Sequence, residues 1–165
     1  MDAIEDIRIL MLMWKMDIPR PVITRQQWED GCEKISVDGC LDGFVSYLPA
    51  LDIGFLETSQ FKDFFKFCFQ FNRLGTHKSL DKDDVVRLLP MLLKGSPIVP
   101  SDRLESFISF LEQNESLTKV TADQWISFLD FCLEVKDLST YDESQSAWPV
   151  LLDEYVEYLE AQQQM

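Results

Sequence analysis

Residues 59–72 read SQFKDFFKFCFQFN, and the choice between helix and strand for this stretch decides the fold class of the whole chain. Phe61, Phe64, Phe65, Cys68 and Asn72 follow the helical period, whereas Phe65, Phe67, Phe69 and Phe71 alternate as a strand would. Lys62, Asp63 and Lys66 fall together on one side of a helix, and every neighbouring segment has a helical pattern. The helix reading therefore prevails. A helix with phenylalanine on nearly all sides must be surrounded by others, so this one is predicted to be the central helix of an all-α domain.

Upstream, residues 4–16 are apolar almost throughout, with Ile7, Leu10, Met11, Met13 and Trp14 supplying most of the bulk, until Pro19 and Pro21 end the helix. Thr24 followed three residues later by Gln27 is a capping box, which predicts a helix over 25–35 with Trp28, Cys32 and Ile35 inward. A short helix with Leu41, Phe44, Val45 and Leu48 then runs into Pro49.

Downstream, Asp81 and Asp84 suit the start of a helix whose inward face is Val85, Leu88, Leu89 and Leu92, kinked at Pro90. Leu104, Phe107, Ile108 and Leu111 mark a helix over 102–113. Thr121 with Gln124 opens another, holding Trp125, Phe128, Leu129 and Cys132. Past a polar connector, 136–145, the last helix enters at Pro149, which has no amide proton to lose in a first turn. Its apolar stripe is Val150, Leu152, Val156 and Leu159, flanked by Leu151 and Tyr155. The expectation is one compact domain of seven to nine helices over residues 1–165, joined by connectors short enough to make sequential helices neighbours.

Hydrophobic residues make up 46% of the 165, which argues against disorder despite a net charge of -14. That charge disfavours nucleic acid and anionic membrane surfaces and favours a basic protein as partner. Cys32, Cys40, Cys68 and Cys132 are widely spread without a CxxC pair, and the single His77 lies in a polar loop. Reduced thiols in an intracellular protein fit better than a zinc site. Met1 leads directly into an amphipathic segment with two acidic residues by position 5, unlike a signal peptide, and no apolar run reaches the roughly 18 residues of a membrane span. So abrupt a start suits a fragment or short isoform of a longer chain.

Enzyme motifs are missing. There is no glycine-rich phosphate loop, no HExxH, no GxSxG and no second histidine to orient the first. Asp81 to Asp84 invites a calcium reading but lacks the glycine at loop position 6 and the glutamate at position 12, so helix capping explains it better. Ile9, Leu12, Met13 and Met16 with Pro21 and Ile23 form a methionine-rich apolar surface, open to use as core or as a groove for another protein's side chain. The final helix carries Asp153, Glu154, Glu157 and Glu160, and the sequence has no Lys or Arg after Lys136. A solvated helix face and a docking surface for a basic partner both fit; Trp148 beside uncompensated acids favours the second.

Three stretches, MLMWKM at 11–16, QFKDFFKFCFQF at 60–71 and above all YDESQSAWPVLLDEYVEY at 141–158, resemble the potentiating-neddylation domain of the defective-in-cullin-neddylation (DCN1-like) family. The likeness runs from about Ile7 to Leu159. It implies an all-α fold with EF-hand-like helix pairs that lack metal, no cofactor, and a scaffold-type ligase without catalytic residues of its own. Such a scaffold promotes transfer of the ubiquitin-like modifier Nedd8 from its conjugating enzyme to a cullin lysine. The implied partners are the cullin's C-terminal winged-helix region, the N-terminally acetylated conjugating enzyme and a RING-box subunit, with the protein a monomer of nucleus and cytoplasm.

By the same resemblance, Asp123, Ala147 and Asp153 would contact the cullin. Ile9, Leu12, Met16, Ile23, Phe71, Leu88 and Met91 would line the pocket for the acetylated methionine, where a free ammonium would suffer a large desolvation penalty. The sequence departs from the family pattern at Ile18 to Pro21, one residue shorter with two prolines, and in having Leu88 and Met91 where tyrosine and leucine are more familiar. Many relatives also carry an N-terminal ubiquitin-binding helical domain, of which nothing is seen in this sequence: either the chain is truncated or its kind lacks that domain. The alternative of another class is a calcium-responsive EF-hand-like binding module.

Overall fold

A computed structural model of the chain describes residues 6–145 and 147–165. Positions 4 and 5 of the first predicted helix lie outside them. Eight α-helices occur among the described residues, and the chain divides into two compact units, one ending at Leu74 and the other Gly75–Met165. None of the helices is long and apolar enough to cross a membrane.

The N-terminal unit holds α1 (Ile7–Lys15), α2 (Arg25–Lys34), α3 (Leu41–Tyr47) and α4 (Thr58–Asn72). The phenylalanine-rich stretch is a helix, as its charge pattern predicts: Phe61, Phe64, Phe65, Phe69 and Phe71 are buried, while Asp63 and Lys66 are exposed. Helix α1 packs on α4 through Trp14, whose ring lies 5.4 Å from that of Phe64 and whose indole N–H donates to Asp63 at 2.9 Å. The capping box of α2 forms as expected between Thr24 and Gln27. A Cβ built on Gly31 of α2 would stand 2.8 Å from the Met16 side chain, so only glycine permits that approach.

The C-terminal unit contains α5 (Lys82–Leu93), α6 (Ser101–Gln113), α7 (Ala122–Glu134) and α8 (Val150–Gln163). It also contains two strands that the helical patterns do not announce, β1 (Ser79–Asp81) and β2 (Lys119–Thr121), paired antiparallel with Leu80 opposite Val120. Three residues are too few to show an alternating pattern, and one buried pair, Leu80 with Val120, supplies the contact that holds the register. Helix α5 continues through Pro90. The core between α6 and α7 centres on Phe107 and Phe128, stacked at 3.8 Å and 10°.

The buried face of α8 is rotated from the predicted stripe. Leu151, Leu152, Tyr155 and Val156 are buried, whereas Val150 is 69% exposed. Tyr155 takes the central place, its ring against Phe107, Phe110 and Phe131 and its hydroxyl satisfied: it lies 2.6 Å from the Ser106 hydroxyl and donates to the Arg103 carbonyl at 3.2 Å. Burial pushes the phenol up to about 12, so it stays protonated and able to donate. Of the cysteines, Cys32, Cys68 and Cys132 are buried and Cys40 is exposed; all four are free thiols.

Candidate functional site

Phe131 of α7 is fully buried and organises the end of the C-terminal unit where the connector meets α8. Three aromatic rings form T-shaped pairs with it: Tyr141 at 5.6 Å and 69°, Trp148 at 5.8 Å and 81°, and Tyr155 at 6.3 Å and 71°. In a T-shaped pair the edge of one ring meets the face of the other, the arrangement aromatic quadrupoles prefer. The Arg103 guanidinium lies 5.8 Å from the centroid of the same ring, and it donates to the carbonyls of Val135 and, at 3.2 Å, Lys136. Arg103 therefore satisfies carbonyls at the C-terminal end of α7 while packing on the ring that supports the connector.

The consequence is a fixed entrance to α8. Trp148 and Pro149 are half-buried, and Pro149 is the N-cap, its carbonyl accepting from the Leu152 amide at 2.8 Å. Ala147 and Val150 on either side are exposed. Asp153 lies in the first turn, where the positive end of the helix favours negative charge, and it accepts a hydrogen bond from the Tyr141 hydroxyl. Asp123 occupies the same kind of position on α7, exposed in the first turn behind the Thr121–Gln124 capping box. It stands eight residues, roughly 12 Å of helix axis, before Phe131.

Of the cullin-contact residues suggested by the sequence, the structure thus sets Ala147 and Asp153 about one helix entrance and Asp123 at another. Among the described residues, neither Asp123 nor Asp153 takes part in an ion pair; Arg87 and Lys119 of this unit pair with Asp84 and Asp81. The acidic field is wider than two residues. The Glu143 carboxyl is pushed above the usual carboxylate range, first by local desolvation and then by repulsion from Glu157, Asp153, Glu160 and Asp142. The Ser144 hydroxyl and amide, donating to Asp142, lower that neighbour instead. Tyr141 and Glu143 are the residues that sequence reasoning missed. Their roles depend on the connector folding back on α8, which no local spacing announces.

The seven residues suggested for the acetyl-methionine pocket fall in both units. Ile9 and Leu12 on α1, Met16 at its cap, Ile23 before α2 and Phe71 on α4 belong to the N-terminal unit, and Leu88 and Met91 to α5 of the C-terminal unit. Met16, Phe71 and Leu88 are buried, while Ile9, Leu12, Ile23 and Met91 are half-buried and keep some apolar surface open. A charge at Phe71 would therefore strike the core as well as any ligand contact.

Comparison with known proteins bears on what such a surface meets. The family model described as Cullin binding matches residues 44–158. The chain is 33% identical over 159 residues to DCN1-like protein 3 of Homo sapiens, covering 93% of this chain and 50% of that protein. It is 33% identical over 162 residues to DCN1-like protein 5 of Mus musculus, covering 96% of this chain and 65% of that protein. The chain spans about half the length of the first of these relatives and less than two thirds of the second.

Proposed function

The chain belongs to the cullin-binding family of DCN1-like proteins, and from that membership we propose that it is a scaffold that promotes transfer of Nedd8 from its conjugating enzyme to a cullin lysine. The observation that carries the reading is Asp153: an acid without an ion pair among the described residues, bonded by Tyr141 at a helix entrance where Trp148 and Tyr141 pack on Phe131. Such a carboxylate is set to accept charge-assisted hydrogen bonds from lysine or arginine on the cullin's C-terminal winged-helix region. Exposed Ala147 lets the partner's backbone come close, and Asp123 supplies a second anchor.

The conjugating enzyme would be held through its acetylated N-terminal methionine. Half-buried Ile9, Leu12 and Ile23 support that part of the reading, since they keep apolar surface within reach of an uncharged peptide end. A RING-box subunit bound to the cullin completes the assembly. The mechanism is proximity: holding both partners raises the local concentration of thioester at the lysine and restricts its approach, so no side chain of this protein touches the reacting atoms.

A neddylation time course tests this. With activating enzyme, charged conjugating enzyme, modifier and a cullin bound to its RING-box subunit, adding the protein is expected to raise the initial rate by about tenfold or more. The Asp153→Lys variant should leave the rate at its unassisted level. Equal rates with and without the wild-type protein would overturn the proposal.

A further inference from the structure

We infer that Tyr141 is a positioning residue of the docking site: its hydroxyl proton holds one oxygen of Asp153 and so turns the other toward an incoming cation. The inference rests on the cullin-docking reading above and extends it by one residue. An ionised carboxylate has two oxygens and about four lone-pair sites, so a single phenol donor leaves most of its accepting capacity free. A cation in the same place would neutralise the acid. A phenol orients it and leaves its charge in place.

The phenol itself is held. Tyr141 is half-buried, and its ring forms a T-shaped pair with fully buried Phe131, which pairs in the same way with Trp148 and Tyr155. Tyr141 therefore ties the acid to the aromatic group that fixes the helix entrance. Without the hydroxyl, Asp153 would sample several side-chain rotamers, and a partner would have to order it on binding. The loss should appear chiefly as faster dissociation, because the long-range attraction of the acidic surface remains.

The test is a double-mutant cycle on binding of a cullin C-terminal fragment by the full chain, run at low ionic strength so that weakened variants stay measurable. The four proteins are wild type, Tyr141→Phe, Asp153→Ala and the double variant. Tyr141→Phe keeps the ring and removes only the hydroxyl. It is expected to weaken binding about five- to tenfold, the size of ordering one side chain on binding, with the melting temperature lowered by no more than about 5 °C. In the Asp153→Ala background the same change should do nothing further, a result that a merely structural role would not give. Wild-type affinity for Tyr141→Phe, or an equal loss in both backgrounds, would overturn the inference while leaving the docking reading intact. Wild-type affinity for Asp153→Ala would instead overturn the docking reading, and this inference with it.

Discussion

Replacing Asp153 by lysine is expected to weaken capture of a cullin C-terminal fragment at least about 100-fold while leaving the protein folded. The change removes an acceptor that one helix entrance holds ready and puts a like charge against the partner's cations. Truncating one side of a close charge pair typically costs about 2 to 5 kcal/mol, and reversal adds repulsion. The fold loses little by comparison. A cation in the first turn of α8 opposes the helix dipole by about 0.3 to 1 kcal/mol, and the Tyr141 bond is lost. Against this, a lysine beside Glu143 and Glu157 relieves part of the repulsion that lifts the Glu143 carboxyl. Pull-down and a melting curve on the same preparation check the prediction; normal capture by the variant would refute it.

Phe131→Ala should do the opposite, acting on the fold first and on docking only through it. The side chain is fully buried, with Tyr141, Trp148 and Tyr155 packed on it and the Arg103 guanidinium near its ring. Truncating a buried phenylalanine typically costs about 3 to 5 kcal/mol. Here the cavity would open beneath the entrance to α8, so the melting temperature should fall by roughly 10 °C or more. Binding should be lost in parallel, because both Tyr141 and Trp148 lose their support. Urea denaturation provides the measurement, and a loss under about 1 kcal/mol would show that the three rings do not depend on Phe131. The two variants together separate recognition from stability: Asp153→Lys spares the melting curve, and Phe131→Ala does not.

The helices were legible because their signals are local. Thr24 with Gln27 and Thr121 with Gln124 form the capping boxes that their spacing announces, and the charged side of residues 59–72 settles helix over strand. The two short strands were hidden because β1 and β2 acquire meaning only by pairing with each other, some 40 residues apart. The face of α8 was misjudged for a related reason. Val150 is as apolar as Leu151, and what separates them is the packing of α8, which buries the Tyr155 ring against Phe107, Phe110 and Phe131 with its hydroxyl satisfied by Ser106 and the Arg103 carbonyl. At the candidate site, the run of acids could be read directly, as could the absence of Lys and Arg after Lys136. Tyr141's bond to Asp153 could not, since it spans 12 positions and depends on the connector's path.

The crowding of Asp142, Glu143, Asp153, Glu157 and Glu160 has a consequence for how the molecule answers its solvent. Mutual repulsion opposes the folded state, and added electrolyte screens it, so moderate sodium chloride should raise the melting temperature of the free protein. The same ions weaken attraction to a basic partner and loosen the complex. One variable thus drives the solitary and the assembled forms in contrary directions, and a surface kept ready for company is least comfortable alone in dilute buffer.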